Sequence, residues 1–285
     1  MKKKLEVLKT FNNNVILAED QQKNEMILIG RGIGFGIRRG NRIELDFDRV
    51  DKVYKFTDMA NLQNYKRVIK DIDEGIIGIS EEVIAEFENS LDKPLDEHIH
   101  IALTDHINFT IQRLKTGLEI NNPFLIEIRA LYPGEYALAE RGASIIEERL
   151  NIKIPESEVG FIAMHIHAAY SRNRVSRALE YTSLINQLVE VLEQEFSINL
   201  DRNSINYVRF ITHLRFVFER VEKGKPVDNP LLERIKRDLD KVYRIAERLS
   251  LEIAKSLDKE IPEEETAYLA IHLQRILMTS RDYSI

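Results

Sequence analysis

Seven histidines in a chain without cysteine are the side chains best suited to chemistry near neutral pH, because imidazole can act there as both base and nucleophile. Four of them recur in pairs. Slid along itself, the sequence returns His106, Phe109, Arg113 and Gly117 as His213, Phe216, Arg220 and Gly224, an offset of 107 residues. Asn122-Pro123, Tyr136 and Ala139-Glu140-Arg141 return as Asn229-Pro230, Tyr243 and Ala246-Glu247-Arg248. Ile154-Pro155-Glu156, Glu158, Ala163 and His165 return as Ile261-Pro262-Glu263, Glu265, Ala270 and His272. Residues 106–165 share 20 identities in 60 gap-free positions with residues 213–272, against about 4 expected by chance from ordinary composition. A period of this length is a duplicated domain and not a solenoid repeat. His98, His100 and His167 face Ile205, Tyr207 and Gln274 in the other copy. The duplication therefore singles out His106, His165, His213 and His272.

Three chemistries compete for such residues. Metal ligation on a helix uses histidines three or four apart, whereas His98 and His100, like His165 and His167, are two apart and point to opposite sides. Enzymatic hydrolysis or nucleotide chemistry lacks its motifs: there is no GxSxG elbow and no P-loop, and GRGIGFG has neither the GxGxxG spacing nor a following helix. No catalytic residue, metal site or cofactor is expected. A lone histidine at the edge of an apolar helix face is most often structural, but matched pairs in diverged copies shift the balance toward function. The remaining role is that of a phosphoryl acceptor, in which a neutral ring gains a dianion and the charge opens or closes an interface. Spacing alone does not name the donor.

These histidines lie on helices. From Asp58 onward apolar residues recur at helical spacing, as in Leu103, Ile107, Ile111 and Leu114. The first 56 residues read differently, as short strands at Leu5–Leu8, Val15–Leu17, Glu25–Ile29 and Val50–Phe56, separated by turn formers at 12–14 and 20–24. Five of the twelve glycines fall at 30, 32, 34, 36 and 40. The expected fold class is α+β multidomain: a small antiparallel β-sheet domain followed by two all-α helical bundles.

Composition sets bounds on this picture. The 44% hydrophobic and 31% charged content belongs to a globular chain, and no apolar run approaches the length of a membrane span. The absence of cysteine and of a signal-peptide pattern leads to the expectation of a cytoplasmic protein with no membrane insertion. The net charge of -6 conceals a division. Residues 1–56 carry twelve Lys or Arg against eight Asp or Glu, net +4, and the remainder twenty-nine against thirty-nine, net -10. A basic head on an acidic body suits a polyanionic partner such as nucleic acid, and equally a solvated surface.

The motifs, taken in order, resemble one family. NNNVILAED and LIGRGIGFG in the head, HIHIALTDHINFTIQRL and VGFIAMHIHAAY in the first copy, and THLRFVFERV and EEETAYLAIHLQRI in the second are similar to transcriptional antiterminators of the BglG, SacY and LicT type, the glucose-operon branch above all. The resemblance spans the chain. It implies a coantiterminator RNA-binding domain over residues 1–57 and two phosphotransferase-system (PTS) regulation domains over 62–172 and 173–285. It implies phosphorylation at His106, His165, His213 and His272, and RNA contacts at Lys9, Asn14, Gly30, Arg31 and Phe35. Phe35 is as well suited to filling the small core of the sheet as to stacking on a base. The implied partners are a hairpin in the leader of an mRNA, a sugar-specific PTS permease acting through its EIIB domain, the phosphocarrier HPr, and a second copy of the chain in a homodimer. The implied function is antitermination at a sugar-uptake operon. The competing reading is a phosphorelay-gated regulator whose head contacts protein and not RNA. A DNA-binding activator would need a helix-turn-helix head, which the strand-like first 56 residues do not offer.

Overall fold

The computed structural model describes residues 2–56, 59–172, 175–225 and 227–279, so the sequence boundaries at 1, 57, 173 and 285 lie outside the described residues. The head is a five-stranded antiparallel sheet of β1 (Lys2–Thr10), β2 (Val15–Glu19), β3 (Glu25–Ile29), β4 (Arg42–Asp46) and β5 (Lys52–Lys55), in the order β4-β1-β2-β3-β5. The expected runs correspond to β1, β2, β3 and β5. The fifth strand, β4, reads RIELD with only two apolar residues, as an edge strand can, and gave no hydrophobic signal. On one face Leu5, Val7, Ile16, Ala18, Met26, Leu28 and Leu45 pack with Ile33 of the glycine-rich loop. Every residue of β2 is buried, so the opposite face is covered too, and α2 (Glu74–Ser90) packs across β2 and β3 there. That double burial accounts for the unbroken apolar run VILA.

Eleven helices are present among the described residues: α1 (Met59–Val68), α2, α3 (Ile99–Lys115), α4 (Leu125–Leu131), α5 (Pro133–Leu150), α6 (Glu156–Ser171), α7 (Val175–Phe196), α8 (Ile205–Glu222), α9 (Leu232–Asp238), α10 (Asp240–Leu257) and α11 (Glu263–Thr279). The repeated letters of the sequence become helix boundaries. Gly117 and Gly224, at φ +75° and +59°, turn the chain out of α3 and α8, and the amides of Leu118 and Lys225 close the last turns onto the carbonyls of Arg113 and Arg220. Pro155 and Pro262 precede α6 and α11, whose first turns are acidic, as the helix dipole favours. Asp73 caps α2 through the amides of Gly75 and Ile76, and Ser204 caps α8 through that of Tyr207.

The chain divides into two compact units, residues 1–122 with 134–175, and residues 123–133 with 176–285. Segment 123–133 belongs by sequence to the first copy of the repeat but packs in the second unit, where α4 lies on α8. The buried Glu127 carboxylate holds it there, accepting from the Tyr207 hydroxyl at 2.7 Å and Arg202 Nη1 at 2.6 Å. Arg215 Nη1 adds a bond to the Leu131 carbonyl at 2.8 Å. No helix among the described residues is long and apolar enough to cross a membrane.

Candidate functional site

Each repeated histidine pair is built by two antiparallel helices. In the first copy α3 presents His106 and, seven residues on, Arg113, while α6 presents His165 and, seven residues back, Glu158. Two helical turns separate the members on each helix, so the rings meet at one level and the ion pair at the next. The His106 and His165 ring centroids are 4.9 Å apart. Glu158, almost fully buried, accepts from Arg113 Nη2 at 2.7 Å and the Thr110 hydroxyl at 2.9 Å, and lies 3.3 Å from His106 Nε2. The second copy repeats the plan on α8 and α11. His213 and His272 stack at 4.5 Å, and Arg220 grips the buried Glu265 in a bidentate pair at 2.6 and 2.7 Å. All four repeated histidines thus come together as two pairs. Sequence reasoning did not assign the Arg113–Glu158 and Arg220–Glu265 pairs to the site, although all four residues are among the repeated identities.

The surroundings press three of these rings, His165, His213 and His272, toward the neutral form. Burial, and then the charges that His106 and His98 would carry, press His165 down to about 3. Burial followed by the charges of His272 and Arg220 does the same to His213, also about 3. His272 is lowered by burial and then by Arg275 and Arg209. Glu158 works the other way: burial would raise it, but hydrogen bonds from His106, Arg113 and Thr110 hold it at about 2. Each copy thus holds at least one imidazole kept neutral by burial, His165 in the first and His213 in the second, in a pair of rings set beside a fixed guanidinium–carboxylate pair, a suitable setting for a nitrogen nucleophile. The copies also differ. His106 reaches its carboxylate, whereas His213 Nε2 stands 3.9 Å from Glu265 and is buried without a hydrogen-bond partner.

The unrepeated histidines have separate places. His100 is buried beneath the sheet, its Nδ1 2.7 Å from Glu81, which also accepts from the Tyr65 hydroxyl. Burial lowers its pKa, but the Glu81 charge and hydrogen bond outweigh this and leave it raised. His167 lies 2.9 Å from Glu135 of α5, and His98 stands at the head of α3. Among the described residues no group of three metal-ligating side chains converges.

In the head, the turn at 12–14 and the glycine-rich loop interlock. The Gly30 amide donates to the Asn14 carbonyl at 2.9 Å, the Gly32 amide to Asn14 Oδ1 at 3.0 Å and the Gly34 amide to the Asn13 carbonyl at 2.9 Å. A Cβ on Gly30 would meet the Arg49 carbonyl at 2.4 Å, and one on Gly34 the Asn12 carbonyl at 2.4 Å, so both positions need glycine. Asn14, Gly30 and Arg31 are therefore brought together, and Phe35 is 75% exposed, facing solvent and not the core. Lys9 lies on β1, next to Phe11. Two of these residues meet the first helical copy. Asn14 Nδ2 donates to Glu82 Oε1 at 3.1 Å, as does Asn12 Nδ2 at 2.9 Å, and Lys9 Nζ lies 3.4 Å from Glu74. The other oxygen of Glu82 accepts from Arg149 Nη2 at 2.8 Å. Nothing in the sequence marked Glu82, because its role depends on α2 packing under the sheet.

A small antiparallel sheet followed by two copies of a helical module, each with a His–His site braced by an Arg–Glu pair, defines a multidomain regulator with a duplicated input. Comparison with known proteins gives the family. The model of the CAT RNA binding domain matches residues 5–63, and that of the PRD domain matches residues 81–169 and 186–276. The PtsGHI operon antiterminator of Bacillus subtilis (strain 168) is 38% identical over 273 residues, covering 95% of this chain and 96% of the relative. Transcription antiterminator LicT of the same organism is 30% identical over 276 residues, 96% of this chain and 99% of its own. The crystal structure of GlcT CAT-PRDI superposes with a TM-score of 0.50 at 40% identity, over 58% of this chain and 98% of that one. The chain belongs to the family of transcription antiterminators that join a CAT RNA binding domain to two PRD domains, as its motifs suggested.

Proposed function

We propose that the chain is a transcriptional antiterminator of a sugar-uptake operon, of the glucose type, acting in the cytoplasm as a homodimer. Its head, residues 1–57, binds a hairpin in a nascent leader transcript and keeps the overlapping terminator from forming. Lys9 and Arg31 meet phosphates, Asn14 and the backbone at Gly30 meet base edges, and Phe35, free in solvent, stacks on an unpaired base. Residues 62–172 and 173–285 receive the control signal at His106, His165, His213 and His272. The chain catalyses no reaction of its own. A sugar permease, through its EIIB domain, phosphorylates the first module when sugar is scarce, and HPr addresses the second.

The observation that carries this reading is the union, in one chain, of an RNA-binding sheet and a duplicated histidine pair braced by an Arg–Glu pair. A physical path joins the two in the first unit. Glu82 of α2 bonds to both Asn12 and Asn14 of the head and to Arg149 of α5. A change in how the helices of the first module pack therefore reaches the RNA-contacting turn directly. In a direct test the full chain is titrated against labelled stem-loop RNAs at rising salt. Binding to one hairpin class should weaken steeply with salt by counterion release and should be lost in Asn14→Ala and Arg31→Ala. Salt-insensitive binding, or none, contradicts the assignment. In cells, a His106→Ala/His165→Ala variant should act without inducing sugar, and a variant that still needs sugar contradicts the sign given to the first module.

A further inference from the structure

The two histidine sites share a plan but not a charge, and the difference lies at positions the repeat does not conserve. On α8, one turn before His213, stands Arg209, and on α11, three residues after His272, stands Arg275. At these spacings each arginine shares a helix face with its histidine, and the stacked rings bring both faces together. Both arginines are exposed, and both charges bear on the His272 ring. The equivalent positions of the first module are Ala102 and Ala168, and Asp105 stands there where the second has Thr212. Among the residues named here, the first site carries Asp105, Arg113 and Glu158, net -1, and the second carries Arg209, Arg220, Arg275 and Glu265, net +2.

The sealed ring also differs. In the first module His165 Nδ1 is buried without a partner; in the second it is His213 Nε2. We propose that His272 is the phosphoryl-retaining histidine of the chain, and that Arg209 and Arg275 hold the dianion there in a clamp that the first module lacks. The inference rests on the reading of these histidines as phosphoryl acceptors and adds which site keeps the group and what keeps it. A phosphoryl dianion at His272 gains two guanidinium partners suited to its oxygens. At His106 it would meet the Glu158 carboxylate, 3.3 Å from the ring, within the field of the adjacent Asp105, where repulsion favours its return to a donor or to water. The first module is thus built to release its signal and the second to store it.

The full chain can be charged without a protein donor, using phosphoramidate. A ring nitrogen of histidine attacks phosphorus, the donor P–N bond breaks, ammonia leaves, and the imidazole proton passes to it as ammonium. After removal of the donor, phosphohistidine at each site is followed by phosphorus NMR and by mass mapping of peptides. We expect the His272 phosphoryl group to outlast that of the first module. Arg209→Ala/Arg275→Ala should shorten its half-life by about tenfold, leave the first module's decay unchanged, and be partly rescued by Arg209→Lys/Arg275→Lys. Decay at His272 that ignores these substitutions, or a longest-lived group in the first module, overturns the proposal while leaving phosphorylation intact. Failure of all four repeated histidines to take the group overturns the underlying reading as well.

Discussion

At the scale of single residues, each site holds a ring kept neutral inside a charged frame, His165 in the first module and His213 in the second. His165 and His213 titrate near 3 in the fold, and a histidine released from it titrates near 6.5. As pH falls below 6.5 the unfolded chain takes up protons that the native chain refuses, so stability is greatest above 6.5 and is lost toward 3. Glu158, held at about 2 against 4.5, adds a second loss at lower pH, because its contribution persists above 4.5 and fades as it protonates. A His165→Gln/His213→Gln variant should show a shallower fall in urea midpoint between pH 7 and pH 5 than the wild-type chain. Identical slopes would show that these rings are not the buried bases described. His100 contributes with the opposite sign: its raised pKa makes the pair with Glu81 most stabilising at low pH, and the contribution fades as pH rises through its titration.

At the scale of elements, α2 and α4 do work that their sequences did not announce. The carboxylates of α2 occupy head residues proposed to contact RNA, since Glu82 meets Asn14 and Glu74 meets Lys9, and Glu82 also holds the neighbouring Asn12. Replacing Glu82 by Gln removes the charge with little change of shape, and the full chain should then bind its hairpin RNA about fivefold more tightly, roughly the worth of one hydrogen bond. Unchanged affinity in an anisotropy titration would separate α2 from control of the head. Helix α4 is fixed through buried Glu127, so Arg202→Ala should cost about 3 kcal/mol by leaving that carboxylate short of its cation, read as a lower denaturant midpoint. The helices and four strands were legible in periodicity, and the histidine pairs in the repeat, because those signals are local or duplicated. Strand β4 was not, since an edge strand needs few apolar residues. The docking of α4 and the Glu82 contacts arise only when distant segments meet, and Phe35, evenly balanced in the sequence, is placed in solvent by the turn that carries it.

At the scale of the whole molecule, a basic head of net +4 is joined to a body of net -10 that carries the four histidines proposed to take a phosphoryl group. On the proposed reading each added dianion would enlarge that imbalance and act on the packing of a helical module, and in the first unit the helices are bonded through Glu82 to the turn proposed to contact RNA. RNA affinity should therefore depend on the covalent state of the histidines. The most direct test is the affinity of the full chain for its leader hairpin before and after charging with phosphoramidate, in the wild-type chain and in His106→Ala/His165→Ala. The account predicts that charging weakens binding by about tenfold or more, the range of ordinary allosteric coupling, and that the double variant loses this response. Equal affinity of the charged and uncharged wild-type chain, with phosphohistidine confirmed in the first module, would contradict it.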